Sequence, residues 1–441
     1  MKRDVLRRLV GRHSALAWLY PGLGVKRWLL LLLLSVVLLG LGFAYLLRDL
    51  YETWTFPPVA YYLTLQFIPR VGRAALFGVV GLALLGLSLV QLNRRLLSAF
   101  VRPGETRLAE RLLRQRLRGK GPKVVAIGGG TGLSTLLRGL KQHTDNITAI
   151  VTVADDGGSS GRLRRELGVL PPGDFRNCIA ALADAEPLTT QLFQYRFGED
   201  SGLDGHSFGN LFIAAMAAVT GSFERALLES SRVLSVRGQI LPSTLENVTL
   251  CADLREERGE ESRLRRVEGE SRIPAERRPI ARVFLEPEGV RAYPGAVRAI
   301  LEADLIIVGP GSLHTSILPN LLVKDIANAL KASRALKIYV CNVATQPGET
   351  DGFSVRDHVR ALEEHVGQGA FSLVLANDNL AVRPPAYTQS EPVPLNEEGV
   401  GPYRLVTADL VDPRNPWRHD AERLAETLMA LFNDWKASAM S

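Results

Sequence analysis

The sequence predicts an α/β protein, a mostly parallel sheet with helices on both faces, preceded by a two-helix transmembrane hairpin. Three observations carry this. Two long runs without a charge, 28–47 and 74–92, stand near the start of the chain. Beyond residue 122, short apolar segments alternate with helical patterns. The first of these segments runs into five residues that include four glycines, Gly128, Gly129, Gly130 and Gly132.

Each apolar run is close to the roughly 20 residues that cross a bilayer. The first begins late, lacks a small-residue cleavage site and is paired with a second, so a cleaved signal peptide is not expected. Lys2, Arg3, Arg7, Arg8, Arg12, Lys26 and Arg27 precede it, and ten Lys/Arg against two Glu occupy 94–123. The connecting loop carries Tyr51, Trp54, Phe56, Tyr61 and Tyr62, as an interfacial belt would. The positive-inside rule then places both ends in the cytoplasm. The expected organisation is a basic cytoplasmic tail over 1–26, the hairpin over 27–93, a basic juxtamembrane linker over 94–121 and a nucleotide-binding domain over 122–441. The linker's arginine-rich amphipathic pattern fits a helix on anionic lipid, or a solvated spacer.

The net charge of +7 does not argue for nucleic acid, because the local excess of Lys/Arg lies beside the apolar runs and no DNA- or RNA-binding signature is present. Cys178, Cys251 and Cys341 are scattered without metal spacing and read as buried residues of a reducing compartment.

Strands are expected at 124–127, 147–153, 305–308, 337–340 and 372–376, each followed by a turn rich in Gly, Asn, Asp or Pro. Such alternation gives a parallel sheet with ligands at the carboxyl ends of its strands. Residues 174–236 read as mainly helical. The charged section 250–292 reads as an antiparallel extension, its Arg/Glu tract being a solvated hairpin tip.

Chemistry concentrates in four strand-end loops. Gly128, Gly129, Gly130 and Thr131 let the backbone approach a ligand, and the N–H groups opening the next helix favour phosphate. Leu133 stands where the third glycine of a dinucleotide fingerprint would fall. Asp155 ends the second strand, where a ribose-binding acid would sit in an NAD site. Followed by Gly157-Gly158-Ser159-Ser160-Gly161, Asp155 and Asp156 equally suit a loop around a polar ligand, contacting hydroxyls or a divalent ion such as Mg2+. Asp174 reads as a helix N-cap, with Arg176 and Asn177 free for ligand contact. Asn210, in Gly205-His206-Ser207-Phe208-Gly209-Asn210, is either a cap or a ligand contact. Ser312, in Gly309-Pro310-Gly311-Ser312, belongs to a second phosphate-sized cradle. A fourth loop spans 342–350. The four are expected to converge on one crevice.

These residues resemble the CofD-like superfamily, in particular its YvcK-type branch, the gluconeogenesis factors. The resemblance covers about 122–436 and rests on AIGGGTGLSTLLRGLK, VTVADDGGSSGRLRRELG, PPGDFRNCIAAL, GHSFGNL, IVGPGSLHTSILPNLL, CNVATQPGETDGF and the RHD of Arg418 to Asp420. It implies a Rossmann-like fold. CofD proteins transfer a phospholactyl-type group from a guanosine diphosphate conjugate to a deazaflavin with a divalent metal. The YvcK branch is similar to a binder of UDP-sugars, notably UDP-N-acetylglucosamine, linked to cell shape, cell-wall synthesis and gluconeogenic growth. By position, Arg418 is implied as a nucleotide-sugar contact and Tyr387 as the residue packing on the uridine. The expected protein is a membrane-tethered binder and regulator rather than a catalyst, with a metal-dependent CofD-type transferase as the alternative. Expected partners are a UDP-sugar, membrane lipid, cell-envelope regulatory proteins and a second copy of the chain in a homo-oligomer; the one cofactor considered is Mg2+.

Overall fold

The computed structural model describes residues 25–53, 59, 62, 65, 67–98 and 121–439, apart from 185–186, 199–201, 259–260 and 397–398. The basic tail 1–24 and most of the linker lie outside the described residues. The chain divides into two compact units, Met1–Leu117 and Arg118–Ser441. In the first, the two apolar runs lie within helices α1 (Val25–Thr53) and α2 (Arg70–Ser98). Among the described residues no helix is long and apolar enough to cross a membrane.

The second unit opens with β1 (Val124–Gly128), α3 (Gly130–Leu140) and β2 (Ile147–Val151). A helical stretch follows, α4 (Gly158–Leu167), α5 (Gly173–Leu182), α6 (Pro187–Gln194), α7 (Phe208–Thr220) and α8 (Phe223–Val233), ending in β3 (Gln239–Pro242). Next come β4 (Thr249–Arg258), β5 (Glu261–Glu268), α9 (Arg272–Ala275) and β6 (Ile280–Glu286). The chain then alternates: α10 (Pro294–Leu301), β7 (Leu305–Val308), α11 (Leu318–Leu321), α12 (Lys324–Ala332), β8 (Leu336–Val340), α13 (Val355–Val366) and β9 (Leu373–Asn377). It closes with β10 (Arg404–Ala408), the ribbon β11 (Val411–Asp412) and β12 (Asn415–His419), and α14 (Ala421–Ala439).

Seven strands form one sheet in the order β10-β9-β8-β7-β1-β2-β3, and every pairing is parallel. The five expected strands are its centre. Every residue of β1, β7 and β9 is buried, as strands covered on both faces require. From β1 the chain winds outward to β2 and β3, then restarts at β7 on β1's other side. The sheet therefore has a switch point between β1 and β7, where open α/β sheets form a crevice at the carboxyl edge.

The charged section folds as a separate antiparallel sheet, β5-β4-β6. The β4–β5 ladder runs out to Arg258↔Glu261, so the Arg/Glu tract does lie at the hairpin's end. All three cysteines are free and buried, as their spacing suggested.

Candidate functional site

The glycine loop connects β1 to α3 with nothing to spare. Gly129 is the N-cap, extended and without a side-chain cap, so the amides of Gly130, Thr131 and Gly132 have no intrahelical acceptor. Gly130 takes φ +61°, a left-handed conformation that favours glycine. A Cβ on Gly129 would lie 2.6 Å from Asp174 Oδ2, and one on Gly132 would lie 2.5 Å from the Pro310 carbonyl oxygen. The loops after β1 and β7 thus touch backbone to backbone.

The loops after β7 and β8 are tied by a matching set of hydrogen bonds. Gly311 N donates to Asn342 Oδ1 at 3.2 Å, and Asn342 Nδ2 returns a bond to the Gly311 carbonyl at 2.9 Å. Gln346 Nε2 donates to Ser312 Oγ at 2.7 Å. Below them, Asn320 Nδ2 donates to the carbonyls of Gly128 and Ser316. The three loops frame a cavity of about 390 Å³ whose walls include Gly129, Gly130, Thr131, Ser312, Gln346, Glu349, Trp417, Arg418 and His419. That volume is within the range of small-molecule sites.

Of the expected site residues, Gly129, Gly130, Thr131, Ser312 and Arg418 line this cavity. Gly128 ends β1 beneath it. Arg418 is exposed and forms no ion pair among the described residues. It lowers the affinity of Arg138 on α3 for its proton, after burial, so two cationic groups stand near each other here. Tyr387 is 79 % exposed and meets Trp417 edge-on, ring centroids 6.2 Å apart, and Trp417 lines the cavity.

Asp155, Asp156, Arg176, Asn177 and Asn210 lie instead in a polar network beside the glycine loop. Asp155 Oδ1 accepts from the Gly157 amide at 2.9 Å, a local turn, and Asp156 Oδ1 accepts from the Ser271 amide at 2.9 Å. Arg176 donates to Ser207 Oγ at 2.6 Å and to Asn177 Oδ1 at 2.9 Å. Asn210 donates to Ser159 Oγ at 3.0 Å, while Ser207 caps α7. Three of the four strand-end loops therefore line this cavity; the one after β2 is tied instead to Ser271 through Asp156 and to Gly173 through Ser160. Among the described residues no group of three or more His, Cys, Asp or Glu could hold a metal ion.

Asp174 is not the N-cap of α5. That position is Pro172, and the Asp174 carboxylate accepts the Gly130 amide at the base of the glycine loop. Enclosure, then the neighbouring Asp155, raises Asp174 to about 7. Glu349, pushed up to about 7 by burial, accepts from Thr315 Oγ1 at 3.0 Å and from the His314 amide at 3.3 Å. Glu270, raised to about 8 by burial and then by Asp155, also feels Asp174, Glu349 and Asp156. His419, held neutral by burial and lowered to about 4, hydrogen-bonds the Cys341 carbonyl at 3.1 Å. Glu349, Trp417 and His419 escape a search for glycines and paired acids; the sequence cues were Glu349 within CNVATQPGETDGF and His419 within RHD, which Trp417 directly precedes.

The raised Asp174 makes a prediction about pH. Its native value exceeds the 3.8 of the free side chain, so the native state holds this proton more tightly. The favourable contribution is full below about pH 4 and is lost as pH rises to about 7. Asp174→Asn keeps an acceptor for Gly130 and removes the titration. Its stability relative to wild type should rise by up to about 1.4 kcal/mol per pH unit over that window and level off above it. Urea melts of both proteins across the window read this difference, and parallel curves would refute it.

Comparison with known proteins agrees with this geometry. The family described as 2-phospho-L-lactate transferase CofD matches residues 124–411. The Gluconeogenesis factor of Bacillus subtilis (strain 168) is 47% identical over 323 residues, 72% of this chain and 100% of its own length. A relative from Nostoc sp. (strain PCC 7120) is 48% identical over 429 residues, 94% of this chain and 92% of its own. A crystal structure of a UPF0052 family member from Bacillus halodurans, 45% identical, superposes with a TM-score of 0.64 over 70% of this chain and 99% of that one. The chain belongs to the CofD family and, within it, stands among the gluconeogenesis factors.

Proposed function

We propose that this protein binds a nucleotide-sugar, UDP-N-acetylglucosamine, and acts as a regulator of cell shape, cell-wall synthesis and gluconeogenic growth. The observation that carries the reading is the cavity at the β1–β7 switch point, which joins a glycine-loop helix N-terminus to an unpaired arginine. The Thr131 and Gly132 amides at the helix start suit a diphosphate, and Arg418 supplies the countercharge. Thr131 and Ser312 offer hydroxyls to the phosphates or the sugar, and the Tyr387–Trp417 pair offers an aromatic face to the base. Asp174, which accepts the Gly130 amide, supports the glycine loop from behind. Calorimetric titration of the full chain with UDP-N-acetylglucosamine should show saturable binding. Arg418→Ala should weaken it about 10- to 100-fold, the size of a charge-assisted contact. Silence from the wild type would end this reading.

The same proposal tethers the domain to the cytoplasmic membrane by a two-pass hairpin, with the C-terminal domain in the cytoplasm and cell-envelope proteins or a second copy as partners. Its support is the pair of charge-free runs in α1 and α2, and leucines such as Leu31, Leu39 and Leu46, which are 58–74 % exposed on α1. Carbonate extraction of membranes tests it: release of the chain into the supernatant counts against the tether.

The family match favours one second reading, a CofD-type transferase. Incubation with a guanosine diphosphate-linked phospholactyl donor and a deazaflavin decides it, since a pure binder leaves both unchanged.

A further inference from the structure

The β7 loop is built like a second phosphate cradle. Gly309-Pro310-Gly311-Ser312 leads into a helical turn whose opening amides, His314 and Thr315, point to an anion. That anion is already present and belongs to the protein. Glu349, carried on the β8 loop, accepts from Thr315 Oγ1 and from the His314 and Thr315 amides. It is only 8 % exposed, yet it lines the same cavity as the glycine loop. The Gln346–Ser312 and Asn342–Gly311 bonds hold its loop in register, so the carboxylate cannot swing aside without breaking them.

We infer that Glu349 is a specificity-determining residue: its carboxylate fills the position a further phosphate would take, so the cavity admits a diphosphate joined to a neutral, hydroxyl-bearing group and rejects a nucleoside triphosphate. This rests on the nucleotide-sugar reading above. The chemistry is that of an acceptor without donors. An ionised carboxylate offers only lone pairs, which sugar hydroxyls and amides can satisfy and phosphate oxygens cannot. A terminal phosphate placed here meets like charge on a buried carboxylate and finds the His314 and Thr315 donors occupied. Two features thus divide the work: the Thr131 and Gly132 amides at α3, beyond the Gly130 amide held by Asp174, receive the pyrophosphate, and the closed cradle at β7 sets what it is attached to.

The test is a competition titration of the full chain with UDP-N-acetylglucosamine and UTP, at about pH 8 so that Glu349 is ionised, with EDTA present to remove any metal that would mask phosphate charge. The wild type should bind the sugar nucleotide at least about tenfold more tightly than UTP. Glu349→Gln keeps size and one acceptor oxygen, and should shrink the ratio of the two dissociation constants about tenfold. Equal wild-type affinity for the two ligands overturns the inference even if the variant does not fold. So does an unchanged ratio in a folded Glu349→Gln. Absence of binding by any uridine nucleotide instead overturns the parent reading, and this one with it.

Discussion

Replacing Gly132 with alanine should weaken the proposed nucleotide-sugar binding about 100-fold while leaving most of the fold. The added Cβ would sit 2.5 Å from the Pro310 carbonyl oxygen, 2.8 Å from its carbon and 2.9 Å from Gly311 Cα. All three are backbone atoms, so no side chain can rotate out of the way. Ordinary contact needs the β1 and β7 loops to part by close to an ångström. Neither is free to move: Gly309 N donates to the Ile127 carbonyl at 2.9 Å, and Asn320 bridges Gly128 and Ser316. The strain therefore falls on the cradle itself. A displacement of that size at a positioning element costs about 100-fold, and overpacking costs about 1–3 kcal/mol of stability. Calorimetric titration beside a urea melt separates the two effects. Wild-type affinity in Gly132→Ala would mean that the loops are not rigidly joined.

Gly139→Val should act on stability first. A Cβ at Gly139 would fall deep inside contact with the Ala421 carbonyl and 2.7 Å from Ala425 Cβ, at the crossing of α3 and α14. Leu424, Ala425, Leu428 and Phe432 anchor α14 in the core, so lifting the helix exposes several apolar side chains together. The expected loss is about 3 kcal/mol or more. Because α14 follows β12 directly, the same lift displaces Trp417, Arg418 and His419. The variant should therefore melt earlier and also bind ligand more weakly. A wild-type melt would show that the helices can part without loss.

The parallel core was legible because strands buried on both faces spell uninterrupted apolar runs, as in Leu305–Val308. The edges were not. β3 is four residues ending in Pro242, and β10 carries Arg404 and partly exposed side chains, so neither breaks from the surrounding loops as a run. The site divides along similar lines. Glycine turns at strand ends advertise themselves, and those after β1 and β7 do frame the cavity. The acidic pair did not reveal its direction, since a carboxylate that folds back on the Gly157 amide has the same sequence as one that reaches for a ligand. Asp174 illustrates the converse: a residue in capping context whose side chain serves the glycine loop instead. Glu349 needed the tertiary packing of two loops, which no local pattern encodes.

The cavity's last wall arrives late in the chain. β10 completes the parallel sheet at Ala408, whereas Trp417, Arg418 and His419 come only with β12. During synthesis a polypeptide can finish every strand of that sheet before these three cavity-lining residues exist. A cut in the turn between β11 and β12 would leave all seven parallel strands on one fragment, and Trp417, Arg418, His419 and α14 on the other.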